Sequence, residues 1–207
     1  DFSEDYRFLS SDDLAPPSLL GDKLFMVVLS KLYSVDIATN TVEYAKSFGT
    51  YWDGPGFFPT PYDNEVYTFG INEYECHYYY LCTSGAIYAL DAASGSENWD
   101  SDDFGSSTPS VDDNYLYTIK NGLAVIEKNT GTLDFEISAS KSYGGVAVLD
   151  GHNNVLGISN DTLVSFDIDS RTISFEISDQ FRGMPAAANG MVYALNGNHL
   201  EARSVND

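Results

Sequence analysis

Four stretches of this chain are copies of one another, and that self-similarity limits the possible folds more than any other feature. Leu32-Tyr33-Ser34-Val35-Asp36 runs into Thr39-Asn40-Thr41 and reaches Tyr44. Ile87-Tyr88-Ala89-Leu90-Asp91 runs into Ser94-Gly95-Ser96 and reaches Trp99. Leu123-Ala124-Val125-Ile126-Glu127 runs into Thr130-Gly131-Thr132 and reaches Phe135, and Leu163-Val164-Ser165-Phe166-Asp167 runs into Ser170-Arg171-Thr172 and reaches Phe175. A fifth copy begins at Leu200-Glu201-Ala202-Arg203-Ser204. A proline announces most copies: Pro17, Pro59, Pro109 and Pro185 each stand seven positions before an apolar residue (Leu24, Val66, Leu116, Val192) that opens an alternating run. The remaining copy has Gly145-Val146 instead, with extra residues at Gly151-His152.

The acidic landmarks Asp36, Asp91, Glu127 and Asp167 are 55, 36 and 40 residues apart, the long interval coming from an insertion at residues 70–84. A repeat of about 40 residues holding several short strands predicts propeller blades. A small twisted antiparallel sheet cannot bury both faces alone, whereas a stack of such sheets can. Each unit reads as four strands: one after the proline, the apolar–aromatic run, the alternation ending in an acid, and, past a Thr/Ser-Gly turn, the strand carrying the aromatic. That aromatic is expected to pack between blades. The last copy lacks a fourth strand, and Asp5-Tyr6-Arg7-Phe8-Leu9-Ser10 is a candidate to supply it and close the ring. The expectation is an all-β, single-domain β-propeller over residues 1–207, of about five four-stranded blades, with residues 70–84 as a hairpin insertion.

Gly85-Ala86-Ile87-Tyr88-Ala89-Leu90-Asp91-Ala92-Ala93-Ser94-Gly95-Ser96-Glu97-Asn98-Trp99 resembles the repeat of PQQ-like β-propellers. That family holds quinoprotein alcohol dehydrogenases as well as a lipoprotein of bacterial outer-membrane assembly, so the resemblance implies a fold and leaves function open. The enzymes use an adjacent cysteine pair, whereas Cys76 and Cys82 are separated here, and only Trp99 keeps the repeat's Trp. No catalytic residue is carried over.

With 10 Lys+Arg against 31 Asp+Glu, the net charge of −21 repels phosphate backbones and anionic lipid. Nucleic acid is therefore excluded as a partner. Membrane insertion is excluded too, because no apolar run nears the ~20 residues a span needs. Cations, basic proteins and neutral sugars remain. Cys76 and Cys82 could meet across a hairpin as a disulfide, which implies an oxidising compartment. Asn160-Asp161-Thr162 is a glycosylation sequon, so Asn160 is a candidate modification site. Together these point to a secreted, extracellular or periplasmic protein.

Catalytic chemistry finds little support. Cys76, His77 and Cys82 fall short of the four ligands of a structural zinc site. Asp167-Ile168-Asp169-Ser170 alternates acids as calcium loops do, yet coincides with the repeat's turn; Asp100-Ser101-Asp102-Asp103 could bind calcium weakly. No GxSxG motif accompanies His77, His152 or His199. The most individual feature is the aromatic content of two loops: Tyr74, Tyr78, Tyr79 and Tyr80 in the insertion, and Trp52 before Gly54-Pro55-Gly56. Tyrosine offers large contact area at low entropic cost, so these five are the candidate binding residues. The expectation is a non-catalytic module without a resident cofactor, binding a protein or another copy of itself. The alternative is a lectin-like propeller that holds a glycan, with a quinoprotein-type enzyme ranked last.

Overall fold

The repeat's alternating Val, Ile, Leu and Tyr residues form strands because each can bury one row of side chains while the other row faces a neighbouring sheet. The structure is a computed structural model describing residues 16–28, 31–48, 58–70, 86–102, 107–119, 121–139, 144–159 and 161–204. It divides into two compact units, Asp1–Asp102 and Asp103–Asp207.

In the first unit, β1 (Ser18–Leu20), β2 (Lys23–Val28), β3 (Lys31–Asp36) and β4 (Thr41–Ser47) form one four-stranded antiparallel sheet in chain order. β5 (Thr60–Tyr62), β6 (Glu65–Gly70), β7 (Ala86–Asp91) and β8 (Glu97–Asp102) form a second. These are the first two blades. Pro17 and Pro59 directly precede β1 and β5, as the repeat predicts. The insertion falls between β6 and β7, and residues 71–85 lie outside the described residues.

In the second unit, β9 (Ser107–Thr108) precedes a third blade of β10 (Ser110–Val111), β11 (Tyr115–Ile119), β12 (Gly122–Glu127) and β13 (Leu133–Ser138). The remaining strands are β14 (Gly144–Leu149), β15 (Asn154–Ser159), β16 (Asp161–Asp167), β17 (Thr172–Ala188), β18 (Met191–Asn196) and β19 (His199–Ser204). They join with β9 in one seven-stranded sheet, where β9 pairs parallel with β14 at the proline-less Gly145-Val146. That sheet is two blades fused through β17, whose first half pairs with β16 and whose second half pairs with β18. Pro185 was expected to precede a separate strand and instead lies within β17. It occupies the register break between Arg182 and Ala186, where a missing N–H costs no ladder bond. The fifth blade therefore comprises the end of β17, β18 and β19. Its expected fourth strand, Asp5–Ser10, lies outside the described residues.

One irregularity recurs in four blades. The aromatic of the fourth strand faces the middle residue of the third: Tyr44 opposite Ser34, Trp99 opposite Ala89, Phe135 opposite Val125, Phe175 opposite Ser165. One position further on, the register slips each time, leaving Glu43, Asn98, Asp134 or Ser174 as the extra residue of a β-bulge. The spacing between turn and aromatic thus encodes a bulge as well as a ring.

The core lies between blades. Phe25, Val27 and Leu32 of the first blade pack with Val66, Leu90 and Ala92 of the second. Tyr117, Ile119, Leu123 and Val125 of the third pack with Ala147, Val155, Val164 and Phe166 of the fourth. Leu156, Ile158 and Leu163 of the fourth pack with Phe181, Val192 and Ala194 of the fifth. Period-two alternation makes this possible, since Val155 and Leu156 point to opposite neighbours. Each of the Val, Leu, Ile and Phe side chains among them contributes about 2 kcal/mol by leaving water.

Candidate interaction site

The turns joining third to fourth strands gather most of the repeat's polar chemistry. Asp36 Oδ1 accepts hydrogen bonds from the Thr39 amide (2.7 Å) and hydroxyl (2.9 Å). Asp91 Oδ1 accepts from the Ala93 amide (3.1 Å) and from the amide and hydroxyl of Ser94 (both 2.7 Å). Asp167 Oδ1 accepts from the Ser170 amide (2.8 Å), and Glu127 Oε2 from the Thr130 hydroxyl (2.9 Å). These bonds, led by the Thr39 amide and by the Ser94 hydroxyl respectively, hold Asp36 and Asp91 below the usual carboxylate range. Asp169, the second acid of the calcium-like alternation, accepts from Asn153 Nδ2 (2.8 Å). His152, in the other insertion, belongs to a turn that Asp150 holds through the amides of His152 (2.6 Å) and Asn154 (3.0 Å).

The same turns receive the aromatics. Tyr44 of the first blade lies over Gly95 in the second blade's turn, so close that a β-carbon there would stand 2.5 Å from the ring. Burial, then the charges of Asp91 and Glu43, push the Tyr44 hydroxyl up to about 12. Phe135 of the third blade meets the fourth blade's turn, where the Arg171 guanidinium carbon sits 4.1 Å from the ring centroid.

Polar groups are concentrated a second time in the fifth blade. An open hollow of about 520 Å³ is lined by Asp179, Gln180, Asn196, His199, Leu200 and Glu201, among others. The β18–β19 hairpin builds it, turning through Gly197 at φ 59°, which suits a two-residue turn with glycine first. The Gly197 amide donates to the Gln180 carbonyl (2.9 Å), which anchors the hairpin to β17. Asn196 is the hub: its amide nitrogen donates to Asp179 and Glu201 (both 2.8 Å), and its oxygen accepts from the Gln180 amide (3.2 Å). Arg203 Nε donates to Glu201 Oε1 (2.6 Å) and its guanidinium lies 5.8 Å from the Phe181 ring centroid. The hollow therefore offers carboxylate and amide acceptors, which suit a cationic side chain or hydroxyl groups. Among the described residues no three His, Cys, Asp or Glu side chains are placed to hold a metal ion, and no helix is long and apolar enough to cross a membrane.

The candidate binding residues Trp52, Tyr74, Tyr78, Tyr79 and Tyr80, the cysteines Cys76 and Cys82, and Asn160 all lie outside the described residues. The structure thus brings together a different set, which the sequence reading passed over. The signal was present: Asn196-Gly197-Asn198-His199 between two alternating runs reads as a hairpin, but its link to Asp179 is tertiary.

Stacked four-stranded sheets with a bulged aromatic repeat define the class: a β-propeller. A family model for PQQ-like repeats, described as outer membrane protein assembly factor BamB, matches residues 83–207, and the chain belongs to this family. The crystal structure of BamB from Moraxella catarrhalis superposes with a TM-score of 0.67 at 22% identity, covering 93% of this chain and 58% of that one. Quinohemoprotein alcohol dehydrogenase from Comamonas testosteroni superposes with a TM-score of 0.59 at 11% identity, covering 93% of this chain and 45% of the enzyme. The chain thus spans less than two thirds of the length of either relative. No curated protein matches.

Proposed function

We propose that the chain is a non-catalytic assembly module that binds protein in a secreted or periplasmic setting. The observation that carries this reading is where the chemistry-bearing side chains go: the repeat's acids hold turns, and Tyr44, Phe135 and Phe175 pack against the next blade of their unit. The enzymes of the family hold a flat quinone. The hollow of the fifth blade is open and polar and does not fit one, because a planar ring system needs walls on both faces. On this reading the module works without a resident cofactor and binds calcium weakly at most.

With pyrroloquinoline quinone and calcium added, the purified chain should show no saturable quinone absorbance change and no alcohol-dependent dye reduction. A photo-cross-linking residue in place of Asn198, on the hollow's rim, should give one discrete protein adduct in the producing cell. Dye reduction, or no adduct at all, overturns the reading.

A glycan-binding propeller is a second reading, favoured by the acceptor-rich hollow, since carboxylates and amides bind sugar hydroxyls. Saturable binding on a glycan array, lost in Glu201→Gln or Trp52→Ala, would move it ahead.

A further inference from the structure

Three asparagines among the described residues are followed by glycine: Asn121-Gly122, Asn189-Gly190 and Asn196-Gly197. Such a pair can cyclise. The attacking atom is the glycine's own amide nitrogen and the target is the asparagine Cγ, so no second molecule has to be brought into position. Glycine leaves the approach open because it has no β-carbon. The fold treats the three pairs differently.

Asn196 is held at both reacting ends. Its side chain bonds to Asp179, Glu201 and the Gln180 amide, and the Gly197 amide that would attack donates to the Gln180 carbonyl (2.9 Å). At Asn121 the peptide carbonyl accepts from the Ala139 amide (3.0 Å). Gly122 is buried opposite Ser138, and the Ile137 carbonyl stands where its β-carbon would be. Asn189 has neither restraint. It is the first of the two residues that join β17 to β18, with φ 54°. It is exposed, and its side chain has no hydrogen-bond partner among the described residues. A β-carbon on Gly190 would meet nothing within 4 Å. This exposure belongs to the turn and not to the blade's place in the chain: Gly21-Asp22, Asp63-Asn64 and Asp113-Asn114, at the same turn of other blades, are all exposed. Asp63 also has φ 54°, so the turn accepts an aspartate.

We propose that Asn189 is a site of spontaneous deamidation and that the fold spares Asn121 and Asn196. Base removes the Gly190 amide proton, the nitrogen bonds to Asn189 Cγ, and the Cγ–Nδ2 bond breaks with release of ammonia. Water then opens the succinimide. Attack at Cγ gives an aspartate, and attack at the backbone carbonyl carbon gives an isoaspartate, whose main chain runs through Cγ. Either product adds a negative charge at the hairpin tip. The isoaspartate also lengthens the backbone of a two-residue turn, whose length sets the register of its strands.

The test is incubation of the full chain in mildly alkaline heavy-oxygen water, followed by acid-protease digestion and tandem mass spectrometry. Asn189 should convert progressively to the acid with uptake of heavy oxygen, while Asn121 and Asn196 remain amides. In urea all three should convert together, because the fold makes the selection. Protein isoaspartyl methyltransferase with labelled S-adenosylmethionine should mark the Asn189 peptide alone, and Asn189→Gln should abolish that mark. An unconverted Asn189 in the folded chain, or conversion of Asn121 or Asn196 at the same rate, overturns the proposal. The same selectivity in urea assigns it to local sequence and overturns the protective role of the fold. Acid at Asn189 that accepts no methyl group overturns the succinimide route.

Discussion

Two turns, one in each unit, meet the same demand with different residues. Gly95 and Arg171 stand at the same place in the repeat, both with positive φ (70° and 56°), and both receive the aromatic of the preceding blade. At Gly95 the absence of a side chain lets Tyr44 lie directly on the backbone. At Arg171 the backbone accepts a conformation that costs a non-glycine residue ~1–2 kcal/mol. It recovers part of this through a guanidinium–ring contact worth ~0.5–1 kcal/mol. The repeat therefore prescribes a backbone conformation and an aromatic address, while leaving open how the two are reconciled.

The harshest way to break the comparison is Gly95→Ala. It adds a β-carbon 2.5 Å from the Tyr44 ring at a positive φ, and should cost about 3 kcal/mol by denaturant unfolding. Arg171 should behave in the opposite sense. Arg171→Gly relieves the backbone and loses the ring contact, leaving stability within about 1 kcal/mol of wild type on the stabilising side, whereas Arg171→Ala keeps the strained φ, loses the contact and should destabilise by about 1 kcal/mol.

Two smaller effects sharpen it by pH. The folded state lowers the Asp36 and Asp91 carboxyls, so their contribution is present above the ordinary aspartate value of ~3.9 and is lost as pH falls through the lowered values. Asp91→Asn should remove its share of that acid dependence, seen as a flatter melting temperature below about pH 4. Tyr44 has the reverse sign. Its hydroxyl is raised to about 12, so the stability from keeping it protonated is full below the ordinary ~10 and fades as pH climbs through 12. Tyr44→Phe should delay alkaline unfolding.

The turn and the position of the aromatic were legible in the sequence because both are local, whereas the bulge between them emerged only from the strand register. Asp91, Ser94, Gly95 and Trp99 lie within nine residues, and their spacing dictates the hydrogen bonds and the ring's place. The fusion of two blades through β17 was hidden, since Pro185 reads as the start of a strand when its bulge cannot be seen. The hollow was hidden for a related reason: Asp179 and Glu201 meet only through Asn196, across three strands.

By itself, then, the sequence determined the blade: its strands, its acid-held turn, its aromatic and the alternation that gives it two apolar faces. Tertiary structure alone decided what covers each face. Leu163 and Leu200 are the same residue at the same place in the repeat, one fully buried and the other 71% exposed. Local pattern specifies which way a side chain points, and only the packing of whole sheets specifies what it meets there.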